Sequence, residues 1–238
     1  MKICLLVPST TNGLEITDIT DTHLYKILIK SLSKDKPKKH KITIYIGYDS
    51  DDKIYSIYEQ RLKLQALVDK VNIIWLEQNE EKGYVTKIWN NLAEQAIKDN
   101  FEYMYVCGDD IEIDNNKWMT DWIPKLKENN NIGWVAGFSH NDRIPTQFLI
   151  HKTHYEIFGY IYPKQLRNYF CDDFMYELYP DKYRIWLKEY RHLNIGGEPR
   201  YIPCNDRNLC SILVKKYKKI LKSYLDKQEF VIVQKEDY

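Results

Sequence analysis

The chain has little of what several common chemistries are built from. Nine glycines in 238 residues form neither a G-x-x-x-x-G-K-[ST] phosphate loop nor a G-x-G-x-x-G dinucleotide turn, so a phosphate cradle made of glycine backbone is excluded. H-E-x-x-H and G-x-S-x-G are absent as well, which removes the zinc-peptidase helix and the nucleophile elbow. The five cysteines, Cys4, Cys107, Cys171, Cys204 and Cys210, are odd in number and make no C-x-x-C pair. With no N-x-[ST] sequon, they fit a reduced, intracellular protein. Neither charge dominates: Lys+Arg 35 against Asp+Glu 34 leaves +1, and a polyanion binder carries a larger basic excess, so nucleic acid is not an expected partner. No apolar run approaches the roughly 18 residues of a membrane span. The run Ile3–Val7 before Pro8 is too short for a secretory core. The expectation is a soluble, cytoplasmic protein.

What remains is ample for a folded core: 44% of residues are hydrophobic and 29% charged, the balance of an ordinary globular domain. Four short, nearly continuous apolar runs mark the first half: Ile3–Val7, Ile42–Tyr48, Val71–Leu76 and Tyr103–Val106. Their length and β-branching suit strands buried on both faces. Helix-length segments separate them: one from an Asp18 or Thr20 cap to Leu32, one over Tyr55–Val68, and a third whose Val85, Ile88, Trp89, Leu92, Ala93, Ala96 and Ile97 form one stripe. This alternation predicts an α/β fold with a mostly parallel central sheet flanked by helices. In such sheets ligands bind beyond the carboxyl ends of the strands.

The second half predicts strands at Trp134–Phe138 and Gln147–Ile150 and a short helix, His154–Phe158, ending at Gly159. Residues 160–203 lack a sustained period and read as loops and short elements over a site. The chain closes with an amphipathic helix whose apolar stripe runs Leu209, Ile212, Leu213, Tyr217, Ile220, Leu221, Tyr224 and Leu225. Lys215, Lys216, Lys218, Lys219 and Lys222 lie off that stripe. The organisation read from this is one domain, 1–208, with 209–238 as a C-terminal helix and tail packed on it. The basic face leaves a peripheral membrane contact open.

Two acidic pairs stand out. Cys107-Gly108-Asp109-Asp110-Ile111-Glu112 follows a buried run, and consecutive carboxylates there are costly unless they hold a cation or ligand. The same Gly-Asp-Asp is also good turn chemistry. Cys171-Asp172-Asp173-Phe174 lies in an aromatic stretch, where a carboxylate can have the raised pKa of a general base. Asp is equally the usual residue at a helix start.

Taken in order, these features resemble the GT-A nucleotide-sugar glycosyltransferases, closest in style to the family-2 enzymes. Tyr45-Ile46-Gly47-Tyr48-Asp49-Ser50-Asp51-Asp52 is similar to their second strand, and Trp89-Asn90-Asn91-Leu92-Ala93-Glu94-Gln95-Ala96 to the helix before the D-x-D strand. Gly108-Asp109-Asp110 falls where D-x-D belongs. Residues 146–159 resemble the later strand and its "R-x-x-F-x-x-x-G" helix. Cys171-Asp172-Asp173 resembles the "E-D" of the catalytic base. The likeness spans roughly residues 2–195, and it departs from the pattern at Gly108, at Asp172 for Glu, and in lacking Q-x-x-R-W, which argues against a processive polymer synthase.

The resemblance implies a GT-A (Rossmann-like) fold and a hexosyltransferase-like enzyme moving a sugar from a nucleoside diphosphate, UDP first, to a hydroxyl of a glycan, protein or lipid. It implies Mn²⁺ or Mg²⁺ on Asp110, Glu112 and His192, and an inverting attack with Asp173, beside Asp172, as base. Pro8, Thr10, Asp49, Lys87, Asn90, Gly108 and Asp109 would bind the donor. The rivals are a sugar-nucleotide pyrophosphorylase and a catalytically silent GT-A module that binds a glycan or membrane. His151 and His154 are one turn apart but read as structural. Arg143 and Arg167 are further diphosphate partners to weigh, and Trp118, Trp122 and Trp134 are read as core before sugar platform.

Overall fold

The computed structural model describes residues 2–34, 42–68 and 71–236, with side chains to 228. In chain order the elements are β1 (Ile3–Pro8), a wide-turned helical segment (Leu24–Ile29) running into α1 (Lys30–Lys34), β2 (Ile42–Asp49), α2 (Tyr58–Leu67), β3 (Val71–Gln78), α3 (Val85–Lys98), β4 (Tyr103–Val106), β5 (Ile111–Ile113), α4 (Trp118–Glu128), β6 (Trp134–Phe138), β7 (Phe148–His151), α5 (Thr153–Phe158), α6 (Cys171–Leu178), β8 (Arg184–Asn194) and α7 (Arg207–Glu236). The last two residues of the expected C-terminal tail lie outside the described residues.

One eight-stranded sheet has the order β3-β2-β1-β4-β7-β6-β8-β5. Its first four strands are parallel, with Leu5 of β1 opposite Ile44 on one side and Tyr105 on the other. β7 runs antiparallel to β4 and to β6, while β8 pairs in parallel with β6 and antiparallel with β5. The period of two in β1 explains why both faces of this sheet are covered. Ile3, Leu5 and Val7 enter one core with α1, α2 and α4, and Cys4 and Leu6 enter a second core with α3 and α5–α7. Trp118, Trp122 and Trp134 are fully buried core residues.

The parallel strands and α3 form where the apolar pattern places them. The helix expected from Asp18 is broken: Asp18 caps only a short turn, accepting from Thr20 N at 2.9 Å, before the wide segment begins. Gly159 closes α5 at φ 80°, where a side chain would be strained. Within 160–203 the structure adds an eleven-residue strand, β8. Arg184, Lys188, Glu189 and Arg191 interrupt its apolar residues, because much of it is half-exposed, and its register to β6 shifts at Gly137/Phe138.

α7 packs on α5 and α6 through Cys210, Leu213, Val214, Tyr217 and Leu221. Its outer face carries Lys215, Lys216, Lys218 and Lys219 with the exposed Ile212. Among the described residues no helix is long and apolar enough to cross a membrane.

Candidate active site

The four parallel strands deliver their carboxyl ends to one edge of the sheet. β1 ends at Pro8 and leads into Ser9–Thr11; β2 ends at Asp49; β4 leads through Cys107 and Gly108 into Asp109 and Asp110. The loop after β1 is fixed by Asp52, a buried carboxylate that accepts from Thr11 N (2.7 Å), Thr11 Oγ1 (2.8 Å), Ile54 N and Tyr55 N. Thr10 Oγ1 is 3.3 Å from the same carboxylate. Asp49 is paired with Lys82 at 3.0 Å, and Lys82 also bonds Asp51.

Asp109 and Asp110 behave differently although they are adjacent. Asp109 is 1% exposed. It accepts from Ser9 Oγ at 2.5 Å, and Ser9 Oγ lies 2.8 Å from Tyr55 Oη. Both terminal nitrogens of Arg200 bond its carboxylate, Nη1 at 3.1 Å, and Nη1 also donates to Thr10 O at 2.5 Å. With Arg200 paired to Asp109, Asp110 forms no ion pair among the described residues. Its carboxyl pKa is pushed up to about 6 by burial and then by the Asp109 charge, with Arg200 opposing.

Two glycines make room for Asp110. A Cβ on Gly108 would stand 2.6 Å from Asp110 Oδ1, and one on Gly196 would overlap the other edge of the carboxylate. The backbone N–H of Ile195 also donates to Asp110 O at 3.1 Å. A side chain at Gly108 would therefore require the Asp110 carboxylate to turn aside.

The second acidic pair opens α6. Phe170, immediately before it, sits at φ 63°, a strained conformation for a bulky residue. Asp173 is 5% exposed and accepts from Arg143 at 2.7 Å and from Arg207 at 3.4 Å. Among the described residues no arginine bonds Asp172, which accepts from Asp173 N at 3.2 Å. Burial, and then the Asp173 charge, raise its pKa above the ordinary carboxylate value. The phenol of Tyr201 is held un-ionised chiefly by burial, with smaller contributions from Cys171, Asp172 and Asp110.

The expected metal ligands are not brought together. Glu112 is half-exposed and bonds Lys34 at 3.1 Å. His192 is 1% exposed, stacked on Trp122 with ring centroids 4.8 Å apart, flanked by Trp118, and 2.6 Å from Tyr105 Oη through Nδ1. Burial alone lowers its pKa to about 3, so it is a neutral core histidine. Among the described residues no group of three His, Cys, Asp or Glu side chains is placed to hold a cation. With Asp109 taken by Arg200, Asp110 is the single carboxylate left, so the side chains present do not fit a divalent site of their own.

Other expected donor contacts have protein partners. Asn90 Oδ1 accepts from Ile161 N and Tyr162 N, both at 2.9 Å, and its Nδ2 donates to Tyr162 O. It pins the segment over α3. Lys87 pairs with Glu80 at 3.2 Å and Arg167 with Glu81 at 2.5 Å. His154 bonds Tyr179 Oη and Ile161 O, and His151 bonds Thr153, both structural.

Arg200, Tyr201 and Ser9 were not legible in advance. Arg200 and Tyr201 sit on a strap, 195–206, between β8 and α7, with no periodicity to mark it; the adjacent glycines 196 and 197 were its one signal. Asn168 ties the strap down, donating to Gly83 O (2.8 Å) and Ile202 O (3.1 Å) and accepting from Cys204 N (2.9 Å).

This architecture, with an acidic turn after the fourth parallel strand and a second acidic pair opening a later helix, is the GT-A fold. No sequence-family description matches the chain, and neither does any curated protein. Solved structures do. S. aureus TarS 1–349 in complex with UDP-GlcNAc is similar with TM-score 0.60 and 16% identity, over 90% of this chain and 65% of that one. GalNAc-T7 with UDP, GalNAc and Mn²⁺ is similar with TM-score 0.59 and 10% identity, over 96% and 50%. The mannosyltransferase PcManGT from Pyrobaculum calidifontis, in complex with GDP-Man and Mn²⁺, is similar with TM-score 0.58 and 9% identity, over 83% and 58%. The chain therefore matches only about half to two thirds of the length of these proteins.

Proposed function

We propose that this chain is a nucleotide-sugar glycosyltransferase that transfers a sugar from a nucleoside diphosphate, UDP the first choice, to a hydroxyl acceptor. The observation that carries the reading is that, among the described residues, each acidic pair has one aspartate buried against arginine and leaves its neighbour, Asp110 or Asp172, without an ion pair. In this reading Asp110 stands at the donor end and Asp172 at the acceptor end. The nucleoside would lie against the ends of β1 and β2, near Pro8, Thr10 and Asp49, at the edge where open α/β sheets bind ligands.

The proposed chemistry is one displacement. A base takes the acceptor's hydroxyl proton, the oxygen attacks the anomeric carbon, and the bond to the diphosphate breaks, which inverts the centre. Asp172 suits the base better than Asp173. Its raised pKa favours taking a proton, whereas two arginines hold the Asp173 charge. The pair Asp173–Arg143 then positions the start of α6. The acceptor, a glycan, protein or lipid hydroxyl, is matched by no feature of its own; the basic face of α7 would suit an anionic membrane surface.

The test is a thermal-shift screen of nucleoside diphosphates and nucleotide sugars, followed by assay of sugar release or transfer with the best binder. A ligand present at 100 times its Kd stabilises the native state by about 2.7 kcal/mol. A UDP-sugar that raises the melting temperature and is turned over supports the reading. No shift with any nucleotide would refute it, and binding without turnover would favour the silent module.

A further inference from the structure

We propose that Arg200 receives the donor's diphosphate, so that this site binds nucleoside diphosphates without a divalent metal. The inference rests on the glycosyltransferase reading and departs from the metal dependence the family likeness implies.

A nucleoside diphosphate adds negative charge beside Asp109 and Asp110, and something cationic must face it. The protein ligands for a divalent ion are lacking: Glu112 bonds Lys34, His192 is sealed among Trp118, Trp122 and Tyr105, and Asp109 is committed to Arg200. Gly108 and Gly196, which lie against Asp110, supply no further acid. The cation at this place is Arg200, its side chain 15% exposed; Asp109 offsets its charge, so what it offers a diphosphate is its open N–H donors.

Its donor arithmetic supports the role. A guanidinium has five N–H donors in one plane. Arg200 uses three: Nη1 to Thr10 O, Nη1 to Asp109 Oδ2 and Nη2 to Asp109 Oδ1. The N–H on Nε and the second on Nη2 have no partner among the described residues. Those two are parallel and form the side-on fork of the guanidinium, the geometry that takes two phosphate oxygens. Asp109 and Thr10 hold the plane from its end, and Asn168 holds the strap on which it rides. The fork is therefore fixed before ligand arrives, which reduces the ordering cost of binding. Thr10 lies in the loop where β1 ends, so the same contact ties the fork to the expected nucleoside edge.

The experiment is calorimetric titration of the full chain with UDP, in EDTA and in excess Mn²⁺. The expected result is an affinity that agrees within about threefold between the two buffers. Arg200→Gln should weaken UDP binding in EDTA by about 10–100-fold, the value of a charge-assisted contact. Arg200→Lys should fall between, because it keeps the charge and loses the fork. The wild-type comparison needs no variant, so a folding defect in Arg200→Gln, checked by its melting curve, leaves the test intact. UDP bound only in Mn²⁺, or bound equally by Arg200→Gln in EDTA, would overturn the inference while leaving the glycosyltransferase reading standing. No UDP or other nucleoside diphosphate bound in either buffer would overturn both.

Discussion

The two acidic pairs repeat one arrangement in different settings. In each, one aspartate is buried against arginine, Asp109 with Arg200 and Asp173 with Arg143 and Arg207, while its neighbour, Asp110 or Asp172, forms no ion pair among the described residues and has a raised pKa. The settings differ in how firmly the arginine is held. Arg200 is 15% exposed, bonded to a carboxylate and to a backbone carbonyl, on a strap tied by Asn168; Arg143 is 68% exposed on a loop. An ion pair out of water depends strongly on both partners, whereas an exposed one is screened and worth little. The difference leaves the first pair rigid and the second adjustable.

The largest effect that would break this comparison is on rate. If Asp172 is the working member of its pair, Asp172→Asn should lose about 10²–10⁴ in turnover, the contribution of a positioned base, with UDP affinity unchanged. Asp173→Asn should lose far less. Steady-state rates of both variants decide it, and the reverse order would move the base to Asp173.

The next effect is on stability. Asp109→Ala leaves the Arg200 charge without its partner and should cost about 3–5 kcal/mol in urea unfolding. Arg143→Ala, at the other pair, should change stability by less than about 1 kcal/mol. Equal losses would erase the distinction between a rigid and an adjustable pair.

A smaller effect concerns pH. Asp110 has a folded pKa of about 6 against 3.8 as the reference value, so the folded chain binds its proton more tightly. That contribution is complete below about pH 4 and is lost as pH rises through 6. Asp110→Asn should therefore match the wild type at pH 4 and exceed it at pH 8, by roughly 1–3 kcal/mol. His192 acts in the opposite sense. Its folded pKa is lowered to about 3 from 6.5, so the stability it contributes is present above 6.5 and lost as pH falls toward 3. His192→Phe should flatten part of the acid-side decline in melting temperature. An unchanged decline would contradict its sealed, neutral state.

Legibility followed the source of each signal. β1, β2, β3, β4 and α3 were readable because strands buried on two faces and a helix with one buried stripe leave strong patterns. β8 was not, because a half-exposed strand carries charges that break its pattern. In the site, both acidic pairs were visible as side chains unusual after apolar runs. His192 was drawn to the metal by its position in the chain, but the aromatic residues of α4 and β4 enclose it. Asn90 was assigned to the donor and instead anchors backbone at 161–162. Arg200 is contributed from 91 positions beyond Asp109, and no local pattern announces a contact that only the folded strap creates.

The most direct measurement is a crystal structure of the full chain with a non-hydrolysable UDP-sugar. The expected result is the nucleoside between Thr10 and Asp49, the diphosphate against Arg200, and the anomeric carbon with its open face toward Asp172. A nucleotide bound away from the carboxyl ends of β1, β2 and β4, or an anomeric carbon that faces neither Asp172 nor Asp173, would contradict it.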